Sequence, residues 1–370
     1  MAELPSVVLR DPSSPLTATY VPSAGMICTS LSDDGVEFLG QRRGLQAYLS
    51  DGKTLGIPIL YPWANRLSAN GYGLDGGAVT LTPPGVGGVR TDPNGLPIHG
   101  VLAAYPGWQV TEQSKNRLIA DLDYGSRPAL LASFPFPHVV TLDITLADRA
   151  LTVQTTVTAT TSAAVPLCYG FHPPYLTVPG VPRSEWTLET PPLEHLLVDN
   201  RGLPTGERVD WPAYSEKLGD KTFDDGFDGV PAGGVFALAG GDRRIEVLFT
   251  QGFPAAQIFA PGNDDVVGLE PMAAPTNALG TGGYDTATPG RPAVSVFHDP
   301  VALTSPSVLA ARLPDHQRGA LRYYRQITTL VGAQRLQLVH HLLDAGLQSL
   351  DLIGQLDDPL DPSEVHTFVL

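Results

Sequence analysis

Val140-Thr-Leu-Asp-Ile-Thr-Leu-Ala-Asp-Arg-Ala-Leu-Thr-Val-Gln-Thr-Thr-Val157 sets the fold class. Val140, Leu142, Ile144 and Leu146 alternate with smaller or polar residues, as do Leu151, Val153, Thr155 and Val157. Successive side chains of a strand point to opposite faces, so a period of two marks a strand with one buried face. Asp148-Arg149 falls between the runs, where a short polar turn closes a hairpin. Further along the chain, a second hairpin reads from residues 235–238 through Gly240-Gly241 to Ile245, Val247 and Phe249. Residues 256–260 and 266–269 add two more apolar strands. Toward the N-terminus, short extended pieces at 6–9, 16–21 and 26–30 are separated by Asp11-Pro12 and Asp33-Asp34-Gly35, ordinary turn chemistry. A Gly-rich hairpin over 70–84 turns at Gly76-Gly77. No helix of ordinary length is expected before about residue 297. The reading is an all-β fold, one large β-sandwich over residues 1–298.

The pattern changes after Asp299-Pro300. Asp315 can cap a helix, and Ala320, Tyr323, Tyr324, Ile327, Leu330 and Val331 then share a helical face. Leu336, Val339, Leu343, Leu347, Leu350 and Ile353 continue the spacing. Residues 299–370 are therefore expected to be a helical C-terminal extension, covering a sandwich face or building a homodimer contact.

The chain has 370 residues, 42% hydrophobic and 16% charged, enough apolar material for a large core. Gly 39 and Pro 35 favour many short elements joined by turns. A net charge of −15 without a basic tract argues against nucleic acid and anionic membrane surfaces as partners. A neutral ligand such as a sugar suits that balance better. Cys28 and Cys168 have no metal-binding spacing and read as two reduced, buried thiols. With no basic segment followed by an apolar one at the N-terminus, and no run near ~18 apolar residues, a soluble cytoplasmic chain is expected.

Gly268-Leu-Glu-Pro-Met-Ala-Ala-Pro-Thr-Asn-Ala-Leu279 holds one carboxylate after an apolar run. Pro271 has no N–H to give a sheet ladder and pushes the residue before it toward extended backbone. Glu270 therefore reads as the last residue of a strand. Other polar groups also stand within a few residues of glycine or proline at the ends of apolar runs: Asn65-Arg66, His99-Gly100, His172-Pro173, Asp224-Asp225 and Gln257. Singly, each has a structural explanation, as an ion-pair partner, a turn residue or a buried histidine.

Together, Pro-Trp-Ala-Asn-Arg (62–66), Ile-His-Gly (98–100), Gly-Phe-His-Pro (170–173), Phe-Asp-Asp-Gly-Phe (223–227), Gln-Ile-Phe (257–259) and Glu-Pro-Met with Pro-Thr-Asn following (270–277) occur in an order that resembles the aldose 1-epimerase, or galactose mutarotase, family over about residues 15–297. The resemblance implies a galactose mutarotase-like β-sandwich acting on a free aldose without metal or other cofactor. It implies that Glu270 takes the proton of the anomeric hydroxyl and His172 protonates the ring oxygen. Arg66, His99, Asp224 and Gln257 would grip hydroxyls, with Asn65 supporting Arg66 or the sugar. Such chemistry calls for an ionised Glu270 and a charged His172, the latter aided by a carboxylate such as Asp224. The Phe-Asp-x-x-Phe frame points to Asp224, with Asp225 the alternative. Pro174 departs from the family pattern after the histidine. Two other functions fit the same scaffold: a hexose-6-phosphate mutarotase, which needs further basic residues to clamp phosphate, and a noncatalytic sugar-binding module, which would lack the acid or the base.

Overall fold

The computed structural model describes residues 4–51, 54–74, 77–81, 88–172 and 175–303. The chain divides into Met1–Leu303 and Thr304–Leu370. The expected C-terminal helices, and the homodimer contact assigned to them, lie outside the described residues.

Two large antiparallel sheets form the sandwich. The first has nine strands, in the order Gln109–Gln113, Arg117–Asp123, His138–Ala147, Ala150–Ala159, Ala293–Leu303, Arg243–Gln251, Gly234–Gly240, Thr187–Thr190 and Tyr214–Lys217. Its central hairpin is the one read from the alternation. Leu146 pairs with Leu151, and Asp148 and Arg149 both take left-handed backbone at φ 51 and 60. Two consecutive positive φ values define the hairpin turn whose twist matches that of its strands. Val140, Leu142, Ile144 and Leu146 are all buried.

The second sheet runs Pro204–Trp211, Leu193–Val198, Phe223–Asp228, Ala255–Ala260, Val267–Met272, Gly170–Phe171 and Ile59–Leu60, with Tyr175–Leu176 also paired to Val267–Met272. The sheets meet through aromatic side chains. Phe171 packs on Phe297 at 4.9 Å between ring centroids, and Phe253 reaches both Phe249 and Phe297. A four-stranded sheet of Val7–Arg10, Leu16–Val21, Ile27–Asp33 and Val36–Glu37 adds Leu9, Leu16, Ala18 and Leu31 to the same core.

Three expectations need correction. Glu270 is not the end of its strand, which continues to Met272. Pro271 is accommodated because the neighbouring ladder is interrupted beside it. Ala273 donates its N–H to Tyr169, and alternate residues of a strand direct their amides to one side. The nitrogen of Pro271 thus faces the gap between Gly170–Phe171 and Tyr175–Leu176, where no donor is needed. The sandwich also does not end at residue 298. Ala293–Leu303 is one strand, with Asp299 opposite Leu151 and Pro300 opposite Ala150. Finally, an eight-residue helix, Gly44–Asp51, precedes residue 297. Its two turns offer too few apolar positions for a helical period, yet Tyr48 is fully buried and accepts a hydrogen bond from Ala104 N–H.

Candidate active site

Strand register places three of the singled-out residues together. Gln257 lies opposite Glu270 on one neighbour and Gly226 on the other, and Asp224 is two residues from Gly226. Paired residues share a face, as do residues two apart, so Asp224, Gln257 and Glu270 project from the same side of three adjacent strands. Gly226 leaves room for this, since a Cβ there would stand 3.1 Å from Gln257 Oε1. The opposite face carries Ile258, Leu269 and Phe171 into the core between the sheets. Asp225 also lies on that opposite face and bonds His195 Nε2 at 2.9 Å. Asp224, not Asp225, lies on the same face as Glu270 and lines the cavity with it.

The remaining groups arrive on loops. His172 follows Gly170–Phe171 as that strand leaves the sheet, and its N–H donates to Pro58 O. His99 and Asn65 both have left-handed backbone, at φ 63 and 48, and are joined by His99 N–H to Asn65 O. Such strained backbone in non-glycine residues recurs at functional sites. Beside them Gly100 makes the close approach its sequence suggested: a Cβ there would sit 2.0 Å from Tyr61 O.

All seven expected residues, Asn65, Arg66, His99, His172, Asp224, Gln257 and Glu270, line one cavity of about 330 Å³ or bond directly to its lining. Gln257 is the link. It donates to Asp224 Oδ1 at 2.9 Å and accepts from Asn65 Nδ2 at 3.3 Å. Asn65 thus supports Gln257, whereas Arg66 is held by Asp92 at 3.0 Å and lies 3.6 Å from Asp224. The rings of His99 and His172 meet edge to face at 5.0 Å. Glu270 is 2% and His172 6% exposed, yet Glu270 Oε2, His172 Nδ1 and His99 Nδ1 are enclosed without a hydrogen-bond partner among the described residues. Such atoms are uncommon in folded proteins, and three of the eleven found among the described residues border this one cavity. A second cavity, of about 230 Å³ beside Arg208 and Thr276, has no enclosed unpartnered side-chain atom among the described residues of its lining.

Burial raises the Glu270 pKa well above the usual carboxylate range, with Asp224 adding to the rise and Arg66 opposing it. Burial lowers that of His172 well below the ordinary imidazole value, helped by His99 and Arg42. His99 is lowered to about 3 by burial, then by Arg66 and Arg90. Enclosure therefore favours a neutral carboxyl and a neutral imidazole, opposite to the ionised pair expected from the resemblance. Asp224 acts on Glu270, and the nearby charge acting on His172 is the cation of Arg42.

Sequence reasoning missed Arg42, Arg43, Thr54 and Asp92. Arg42, Arg43 and Thr54 line the cavity, and Asp92 holds Arg66. Only Asp92 had a local signal, because Asp92-Pro-Asn-Gly95 reads as a turn in which the carboxylate caps following amides; it accepts from Asn94 and Leu96 N–H. Pro173 and Pro174 lie outside the described residues. No cluster of three His, Cys, Asp or Glu suited to a metal occurs among the described residues. Cys28 and Cys168 are free and buried, and no described helix is long and apolar enough to cross a membrane.

A family model described as aldose 1-epimerase matches residues 17–297. No curated protein matches the chain in sequence. Among solved structures, a protein of Synechocystis sp. PCC 6803 aligns with a TM-score of 0.67 at 22% identity, covering 82% of this chain and 97% of that one. An aldose epimerase homologue from C. elegans gives 0.64 at 15% identity, covering 81% and 100%. A galactose 1-epimerase from Lactobacillus acidophilus gives 0.62 at 13%, covering 82% and 100%. At these identities the structural likeness establishes the fold alone, a galactose mutarotase-like β-sandwich.

Proposed function

Since the chain belongs to the aldose 1-epimerase family, we propose that it interconverts the α and β anomers of an aldose by opening and reclosing the sugar ring. The observation that carries this reading is the pairing, in one cavity, of a buried carboxyl and a buried imidazole that each keep an enclosed polar atom without a partner among the described residues.

Ring opening needs a proton removed from the anomeric hydroxyl while another reaches the ring oxygen. Glu270 takes the first and His172 gives the second. Rotation about C1–C2 presents the other face of the aldehyde, and the reverse transfers close the other anomer. The pair must hold one proton between its members before each turnover. A neutral carboxyl with a neutral imidazole holds the same single proton as a carboxylate with an imidazolium, so burial does not alter the proton count. Sugar hydroxyls donating to Glu270 replace the water it lost on burial, and Arg66 also favours its charged form. Loading the cavity therefore moves the proton toward His172. Asp224, Gln257 and Arg66 grip hydroxyls, Asn65 holds Gln257, and His99 walls the imidazole. Positioned proton transfer of this kind typically contributes ~10²–10⁴-fold in rate.

Polarimetry of freshly dissolved α-anomers tests the proposal. Wild type should speed equilibration of at least one aldose. Glu270→Gln and His172→Asn should each lose at least ~10²-fold. Arg42 and Arg43 also line the cavity, so a hexose 6-phosphate belongs in the substrate panel. Equal rates for wild type and both variants would dismiss the assigned acid and base. An inert wild type across the panel would dismiss the activity.

A further inference from the structure

The proton-transfer scheme makes no use of one group of residues around the cavity, namely Arg42, Thr54 and Tyr175, with Asp264 behind Arg42. Arg42 donates through Nε and Nη2 to Asp264 Oδ2 at 3.1 and 2.9 Å, and through Nη1 to the Tyr175 hydroxyl at 2.6 Å. The same guanidinium lies 4.6 Å above the Tyr175 ring and 5.7 Å from the Phe259 ring centre. The Tyr175 hydroxyl is also 2.5 Å from Thr54 Oγ1 and 3.3 Å from His172 Nε2. The tyrosine and histidine rings are 4.8 Å apart.

Counting donors narrows the arrangements. Arginine only donates, and a phenol has one proton and two lone pairs. One lone pair of Tyr175 is taken by Arg42. Either Thr54 donates to the other and Tyr175 donates to Nε2, or the Nε2–H of His172 donates to Tyr175 and the phenol donates to Thr54. The first places the imidazole proton on Nδ1, which is enclosed and has no partner among the described residues. A buried N–H without an acceptor is rarer than a buried lone pair without a donor. The second arrangement therefore prevails.

We infer that Tyr175, fixed by Arg42 and Thr54, is a positioning residue for His172 that orients the ring and keeps its proton on Nε2. The inference rests on the reading of His172 as the acid. The charged and titratable groups around His172 are His99 at its edge, Tyr175 and Arg42 beside it, and Arg43, Arg66, Asp224 and Glu270 elsewhere in the cavity. Arg42 thus has two effects. It anchors the tyrosine, and its charge makes His172 harder to protonate.

The test combines kinetics with nitrogen-15 NMR of the histidine rings in the full chain. In wild type at neutral pH, His172 should show the tautomer protonated on Nε2. Tyr175→Phe, which keeps the ring packing, should shift it toward a mixture. Its kcat should fall roughly tenfold with KM within about twofold, tenfold being ~1.4 kcal/mol. Arg42→Met should raise the apparent pKa assigned to His172, and Arg42→Lys should restore most of the difference. Thr54→Val provides the same readouts through one lost bond should Tyr175→Phe fail to fold. An unchanged tautomer and unchanged kcat in the variants would overturn the inference. A wild type inert on every sugar would instead overturn the proposed activity, while the NMR result would still decide the role of Tyr175.

Discussion

Leu269 and Glu270 are neighbours in one strand and almost equally hidden, at 0% and 2% exposure. The same holds for Ile258 beside Gln257 and for Phe171 beside His172. In each pair one side chain enters the core between the two sheets and the other faces the cavity. On the inner face enclosure is favourable, since removing an apolar side chain of this size from water contributes about 1.5–3 kcal/mol. On the cavity face the same enclosure strips water from groups that want it. Gln257 recovers its bonds through Asp224 and Asn65, but among the described residues Glu270 Oε2 and His172 Nδ1 find no such partner. One sheet thus builds stability on one side and holds unspent polar capacity on the other.

The contrast is greatest at Glu270. Glu270→Gln should cost ~10²–10⁴-fold in anomer exchange while leaving the unfolding midpoint unchanged or higher. A loss of more than about 1 kcal/mol of stability, on the scale of a hydrogen bond, would mean that the carboxyl supports the fold and would undo the contrast. The mirror experiment is Leu269→Ala. Denaturant unfolding should show a loss of ~2–5 kcal/mol, with exchange per folded molecule nearly unchanged. A collapse of activity without a stability loss would refute the division of labour.

A pH series refines the picture. Because the folded Glu270 pKa is raised above its unfolded value, the native state holds this proton where the unfolded chain has released it. That contribution lowers stability as pH rises above ~4.5, by at most ~1.4 kcal/mol per pH unit. The stability of Glu270→Gln relative to wild type should therefore grow with pH above that value and level off below it. Parallel curves for the two proteins from pH 4 to 8 would show that Glu270 ionises freely in the fold. The mildest change separates adjacent aspartates. Asp224→Asn should raise KM, whereas Asp225→Asn should leave kinetics unchanged and alter stability by no more than ~1 kcal/mol, because its partner His195 is partly exposed. Equal kinetic effects would put both residues on the cavity face.

The nine-stranded sheet was legible in the alternation from Val140 to Val157 because its hairpin has one buried and one less buried face. The strand at Val267–Met272 is buried on both faces and shows no alternation. Its apolar run announced a strand, but a proline taken as a stop hid its last residues. The motif residues were found because they sit in short motifs whose order along the chain resembles a known family. Arg42 was not, since its significance depends on Asp264 and Tyr175, 222 and 133 positions away in the chain. No period or short motif encodes a contact of that range. The protonation of Glu270 and His172 was likewise hidden, because it depends on how deeply the folded chain encloses two residue types that the sequence can only name.

Pro271 gains a wider meaning from its place inside the sheet. An ordinary residue there would present an amide demanding an acceptor from the adjoining chain, and that chain would have to stay in line to supply it. A residue with nothing to offer releases its neighbour from the obligation. The adjoining chain pairs with this strand at Gly170 and again at Tyr175, and His172 lies between those pairings. The residue without a hydrogen to give thus lies next to Glu270 in the strand, and His172 lines the same cavity. Residue 271 thus asks nothing of the chain beside it at the point where His172 enters the cavity.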